Sequence, residues 1–484
     1  MMKYFKQGFF FWMLLSCFIS NAQKTIPNEG HKEEITHKIL EDTAAKFYVN
    51  SIQISGNKKT KSYIIFREIQ IKQGDSIIAG RLFELLEASR SLLYNTNLFS
   101  EISLEPLFSD SSRLTINVVV KERWYIYPSP LFRLTDRNFN EWWKTYNADF
   151  NRVNYGVKFY HYNVSGRADQ LSINLLNGFS RNFSLSYAAP YSNKSLTEGF
   201  AFAMGYSENR TYPYKTDSNN KILEYKKPDF SKQYLYINGT YSLRKSYYKR
   251  QSFSMQFSYM NIDDSILTSK YNPNYFNENK TSAFIFDIGY NYQFLQLDNV
   301  NYPLKGKAYT ISIYKRGIGF SGGLNMLGLD VSYNKYIPHP HKFYSSFQFN
   351  GKIKLPFQQS YVNQRSLGYG SFYLRGLEYY VIDGVAASLA KYTFRKKLIS
   401  FKIPVPFHIK ALPYLPFGFY AKTYADAGYC YNKIVYDTRL NNILLYTGGF
   451  GIDILSIYDL NMSLEYSFNQ LKEKGLFLHV RSSF

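Results

Sequence analysis

The sequence predicts a mostly β fold: a sixteen-stranded antiparallel transmembrane barrel with one small N-terminal α/β domain. Three observations predict it. From about residue 125 to the end, apolar and polar residues alternate with a period of two. Aromatic residues make up 19% of the 484-residue chain, with 47 Tyr and 40 Phe. Past residue 22 there is no unbroken apolar run of about 18 residues, the length a membrane-crossing helix needs. Abundant aromatics, modest mean hydropathy and no helical span fit strands with one side in lipid and the other in a watery lumen. A large soluble β-sandwich or propeller is the competing fold. No blade-like repeat supports it, and the apolar faces are unusually aromatic.

The first 22 residues read as a secretory signal peptide. Lys3 and Lys6 precede an apolar run from Phe9 to Ile19, and Ser20-Asn21-Ala22 supplies small residues for cleavage before Gln23. Leu14-Leu15-Ser16-Cys17 loosely matches a lipobox and is the alternative reading of the same segment, with Cys17 lipidated. After cleavage at Ala22 only Cys430 remains, which excludes an intramolecular disulfide and any cysteine-based metal site. Export also removes most cytoplasmic functions.

Residues 23–46 are polar, without a clear period, and read as a linker. Residues 47–123 follow a β-α-α-β-β pattern. Val49, Ile52 and Ile54 form a strand ending at Gly56-Asn57. Thr60 is placed to cap a helix through Ile64, Ile65 and Ile69. After the Gly74-Asp75 turn, Leu82, Leu85, Leu86 and Leu93 mark one stripe of a helix from Arg81 to Tyr94. Ile102 and Leu104, then Leu114, Ile116, Val118 and Val120, give two strands.

Residues 125–484 read as the barrel. Phe284, Phe286, Ile288, Tyr290, Tyr292 and Phe294 share one face of a strand whose other face carries Asp287, Gly289, Asn291 and Gln293. In 459–468, Leu460, Met462, Leu464, Tyr466 and Phe468 alternate with Asp459, Asn461, Ser463, Glu465 and Ser467. Strand centres fall near 131, 158, 174, 186, 204, 237, 256, 289, 311, 329, 349, 392, 422, 448, 464 and 480. On that count residues 355–385 form the sixth loop on the side away from the N-terminal domain. It is far longer than a hairpin requires, and a loop that long is usually functional or disordered.

The net charge of +22 is dispersed, with no basic run or nucleic-acid motif. Contact with anionic lipid or a polar lumen accounts for it, and no nucleic-acid partner is expected. No nucleophile–base arrangement, phosphate loop or catalytic carboxylate pair stands out, so no enzyme activity and no cofactor are expected. His339 and His341, in a Pro-His-Pro-His turn, are two ligands at most, and no metal site is expected.

Several stretches together carry a family resemblance. They are the 47–123 unit with its closing Val120-Lys121-Glu122; Leu374-Arg375-Gly376-Leu377 in the long loop; Tyr424-Ala425-Asp426-Ala427-Gly428 on the thirteenth strand; and a last strand with Leu476, Leu478 and Val480 that ends in Phe484. In this order they resemble the BamA/TamA-like outer-membrane assembly factors, the bacterial surface antigen family. The resemblance implies an outer-membrane barrel of a Gram-negative bacterium with one periplasmic POTRA domain at 47–123. It implies that the sixth loop folds into the lumen, where Arg375 pairs with Asp426, Gly376 and Gly428 complete the two motifs, and Leu374 and Leu377 flank the loop arginine. Leu478, Val480 and Phe484 then form the C-terminal barrel signal.

Two positions depart from the family's pattern. Thr393 stands where many relatives carry a glutamate on the twelfth strand, and Ser482 replaces the penultimate aromatic. The function implied is protein insertion or translocation. The POTRA strand edge near residues 100–108 receives the client, and the junction of first and last strands opens. Partners are outer-membrane lipids, unfolded outer-membrane or secreted clients and accessory lipoproteins. The alternatives are a two-partner-secretion transporter with a dedicated substrate, a passive pore or adhesin-like barrel, and a barrel that modifies or delivers lipid.

Overall fold

The computed structural model describes residues 44–109, 112–134, 147–277, 279–318, 324–405, 414–433 and 438–481. The expected signal segment with Cys17, nearly all of the linker, and Ser482 and Phe484 lie outside the described residues.

The N-terminal domain comprises β1 (Lys46–Ser55), α1 (Ser62–Glu68), β2 (Ser76–Ile78), α2 (Ala79–Tyr94), β3 (Phe99–Phe108) and β4 (Arg113–Glu122). Its sheet runs β2-β1-β4-β3, with β1 parallel to β4 and the other pairs antiparallel. Ile64, Ile65, Leu82, Leu86 and Leu93 of the two helices pack on Phe47, Val49, Leu114, Ile116 and Val118 of the sheet, all buried. Two details differ from the sequence expectation. The three-residue β2 pairs with β1, adding a strand too short to show a period. Thr60 caps nothing: Lys61 precedes α1 and makes no side-chain cap. Thr60 is instead buried, hydrogen-bonded to the Tyr125 hydroxyl at 3.0 Å and to Asn163 Nδ2 at 2.9 Å.

The barrel begins with β5 (Ile126–Leu134), β6 (Val153–Tyr162), β7 (Gln170–Gly178), β8 (Ser180–Ala189) and β9 (Glu198–Asn209). A small hairpin, β10 (Thr211–Thr216) and β11 (Ile222–Lys226), stands apart from the main sheet. Then come β12 (Lys232–Leu243), β13 (Lys249–Ile262), β14 (Ser282–Leu297), β15 (Gly306–Arg316), β16 (Met326–His339) and β17 (Phe343–Leu355). The long loop holds α3 (Tyr361–Gln364), β18 (Arg365–Leu367) and β19 (Ile382–Asp383). The chain closes with β20 (Ala386–Pro404), β21 (Tyr414–Tyr431), β22 (Leu444–Leu455), β23 (Asn461–Asn469) and β24 (Lys474–Arg481). Sixteen strands form one antiparallel sheet: β5–β9, β12–β17 and β20–β24. Each strand centre expected from the sequence falls inside one of them. β5 and β24 end the order, and no ladder joins them among the described residues.

The period of two sets the faces. Phe253, Met255, Phe257, Phe284, Leu464 and Phe468 are exposed on the outer face. Aromatic pairs tie neighbouring strands there: Phe257 stacks on its cross-strand partner Phe286 at 4.4 Å between ring centroids, and Tyr259 meets Phe284 at 4.6 Å. Asn461, Ser463, Glu465 and Ser467 are buried on the opposite face of β23.

The N-terminal domain is bonded to the turns at the near rim of the barrel. Glu68, wholly buried at the end of α1, accepts from Arg244 Nη1 at 2.5 Å and Nη2 at 2.7 Å in the β12–β13 turn, and from the Tyr191 hydroxyl at 3.0 Å. Arg67 donates to the carbonyls of Leu196 and Arg244. Asp459, in the β22–β23 turn, accepts from Tyr94, Arg123, Asn299 and Asn301. Burial opposes ionisation of Glu68, but the charge and hydrogen bonds of Arg244, with the charges of Arg67 and Arg250, outweigh it. Its carboxyl stays below the usual glutamate range.

Candidate functional site

The loop from residue 356 to 385 turns back on the barrel and meets the lumen face of β20 and β21. Its apolar residues explain why a loop carries them. Leu367, Phe372, Leu374, Leu377 and Ile382 pack with Ala387 and Leu389 of β20, Cys430 of β21, Leu440 and Leu445. Leu374 and Leu377, the flanks of the loop motif, are both buried. The Leu377 amide donates to the Leu374 carbonyl at 3.1 Å and closes a turn around Arg375-Gly376. Gly376 has φ of +88°, which L side chains rarely adopt, and a Cβ there would come within 2.7 Å of Ser467 Cβ. Gly428 leaves room for Leu374: a Cβ on it would lie 3.0 Å from Leu374 Cδ1.

This turn aims Arg375 at Asp426, and both are buried. Arg375 Nε donates to Asp426 Oδ2 at 2.9 Å and Nη2 donates to Oδ1 at 2.5 Å, a two-pronged pair. The Arg375 amide also donates to Oδ2, at 3.0 Å. Nη1 donates to Thr393 Oγ1 at 3.0 Å, and the guanidinium lies 3.9 Å from the centroid of the Tyr424 ring. Thr393 therefore serves the guanidinium as a neutral acceptor. The remaining C-terminal residues fall elsewhere: Leu478 and Val480 project from the outer face of β24, 67% and 59% exposed, and Phe484 lies outside the described residues.

Sequence reasoning missed the charged residues around this pair. Lys422 of β21 donates to Asp453 of β22 and to Glu465 Oε1 of β23 at 2.6 Å. Asp453 also receives the Tyr302 hydroxyl at 2.8 Å and Ser463 Oγ at 2.6 Å. Next to them, Glu378 of the loop faces Glu465 and His479 of β24. The signal was present but weak: Glu465 and His479 are charged or polar residues on the lumen face of two strands already read as amphipathic. Only the ladder Ser463↔His479 and Glu465↔Phe477 brings them beside each other.

A sixteen-stranded barrel with a small α/β domain at one rim and a long loop packed on its inner wall defines a class of fold, a β-barrel joined to a soluble domain. Comparison with known proteins places the parts. Residues 47–123 match the POTRA family model, described as surface antigen variable number repeat. Outer membrane protein assembly factor BamA of Neorickettsia risticii is 26% identical over 106 residues, 22% of this chain and 14% of that protein's length. The crystal structure of BamA from Haemophilus ducreyi lacking POTRA domains 1–3 superposes with a TM-score of 0.50 at 14% identity, covering 95% of this chain and 93% of that one. CdiB from Escherichia coli gives a TM-score of 0.49 at 12% identity, covering 95% and 98%. Residues 47–123 thus form a domain matching the POTRA model, and the chain shares the fold of the BamA barrel.

Proposed function

We propose that this protein inserts or translocates other proteins at the outer membrane, with the sixth loop held in the lumen as a latch. The observation that carries the reading is the buried Arg375–Asp426 pair, which ties an extracellular loop to the inner wall of the thirteenth strand. A passive pore needs no such loop, whereas a barrel that opens only for a client needs a closed resting state. β3 lies at an edge of the POTRA sheet with β4 as its one ladder partner among the described residues, so an extended client segment can add to it through main-chain hydrogen bonds. β5 and β24, at the two ends of the barrel sheet, are where a second chain's strand can pair. Outer-membrane lipids and accessory lipoproteins complete the proposed set of partners. BamA, the relative matched over its aligned segment, is named as an assembly factor, which supports the same reading.

The test is assembly of a urea-unfolded outer-membrane barrel into liposomes with and without this protein. Faster folding of the client, read as protease resistance, supports insertion. No acceleration, together with a steady conductance from the protein alone, moves the passive pore into first place. No acceleration in a barrel that stays closed, with release of one co-exported protein in cells, supports a dedicated secretion transporter.

A further inference from the structure

We propose that Glu378, Glu465 and His479 form a binding site for a divalent transition metal, with zinc the natural occupant, that ties the sixth loop to the last barrel strand. Each residue offers one ligand atom, and the three atoms all lie within 4.8 Å of one another. His479 Nε2 stands 3.1 Å from Glu378 Oε1 and 3.5 Å from Glu465 Oε2. Ligands bonded to a tetrahedral zinc at about 2.0–2.1 Å stand roughly 3.3–3.4 Å apart, so these spacings suit one shared ion. Imidazole with two carboxylates is a donor set zinc accepts.

A second observation points to a ligand. Glu378 Oε1 and Oε2, Glu465 Oε2 and His479 Nε2 are buried atoms that make no hydrogen bond of acceptable geometry. Glu465 is 96% buried (4% exposed), and its other oxygen is taken by Lys422. Buried polar atoms need partners, and here the three side chains offer only one another, at ion-pair distances of 3.1 and 3.5 Å; an ion between them satisfies all three at once. The ring of His479 is stacked on Tyr373, with centroids 5.9 Å apart, which fixes the direction of its nitrogen. No metal-ligand spacing is legible in the chain because Glu378 lies in a distant loop and Glu465 and His479 are brought together only by the pairing of β23 with β24.

The consequence is mechanical. Glu378 follows the Leu374–Leu377 turn directly, and β24 has a ladder partner only in β23 among the described residues. A bound ion thus adds a second tie for the loop, beside Arg375–Asp426, and fastens the strand that borders the seam.

The test is calorimetric titration of metal-stripped protein in detergent with zinc chloride, for wild type, His479→Asn, Glu378→Gln and the control His339→Asn. One equivalent is expected to bind wild type and the control, with at least tenfold weaker binding in both site variants. Zinc is also expected to raise the temperature at which the wild-type barrel loses its folded mobility in detergent gels, and to leave His479→Asn unchanged. Glu378 lies in the loop rather than the sheet, so its variant keeps the test open if the strand variant fails to fold. No zinc uptake by wild type, or uptake undiminished in Glu378→Gln, overturns the proposal.

Discussion

Arg375 makes five hydrogen bonds to three residues, and three of them go to Asp426. Removing either partner strands a buried charge, at a cost of about 3–5 kcal/mol. Arg375→Ala is therefore expected to free the loop. Arg375→Lys is expected to fare little better, because an ammonium cannot span both carboxylate oxygens with a planar fork. Gly376→Ala leaves the ion pair chemically intact, yet it is expected to loosen the loop through its strained φ and the close approach to Ser467. The measurement for all three is trypsin cleavage within residues 356–385 of folded protein in liposomes. Wild type should resist and the variants should be cut; equal resistance in Gly376→Ala would mean that the turn tolerates a side chain there. The Arg375–Asp426 pairing was an expectation carried over from the family resemblance of the two motifs. The place of Thr393 in it was not, since a hydroxyl that accepts one hydrogen bond leaves no mark in the alternation of a strand.

At the scale of elements, α1 and the β12–β13 turn meet at Glu68 and Arg244, a contact whose strength is expected to depend on pH. The Glu68 carboxyl is held below its ordinary value of 4.5. The contribution of the pair is therefore complete above that ordinary value and is lost as pH falls through the lower, folded value. The protection factors of the α1 amides, measured against the intrinsic exchange rate at each pH, are expected to stay high at pH 6 and to fall on acidification below the ordinary glutamate range. Glu68→Gln should remove that pH dependence; an acid response unchanged in that variant would assign it to other carboxylates. Arg244→Ala, which leaves Glu68 charged and buried, is expected to be worse than Glu68→Gln in α1 protection at neutral pH.

The sequence predicted α1 itself from Ile64, Ile65 and Ile69, but not its role, because Glu68 reads as an ordinary polar residue at the end of a short helix. Thr60 shows the same limit. Its position just before a helix suggested a cap, and tertiary packing against Tyr125 and Asn163 took its hydroxyl instead.

For the whole molecule, the barrel was the most legible part of the chain. A strand with lipid on one side and a wet lumen on the other must alternate, and that alternation repeats through the described strands whatever the loops do. What alternation cannot show is which inward residues of different strands become neighbours. Lys422, Asp453, Glu465 and His479 lie on successive strands, and register alone assembles them. They line the wall on the same side as the loop, so the loop, the charged wall and the last strand form one connected unit next to the end of the sheet. In this account the resting barrel is closed by that unit, and clients gain entry when it moves.

Single-channel conductance in planar bilayers tests that account most directly, comparing wild type, Arg375→Ala, Asp426→Ala and the double variant. A mostly closed wild type is predicted, with both single variants opening to a similar extent and the double variant opening no further than either one. A wild type that conducts steadily, unchanged by either substitution, would contradict it.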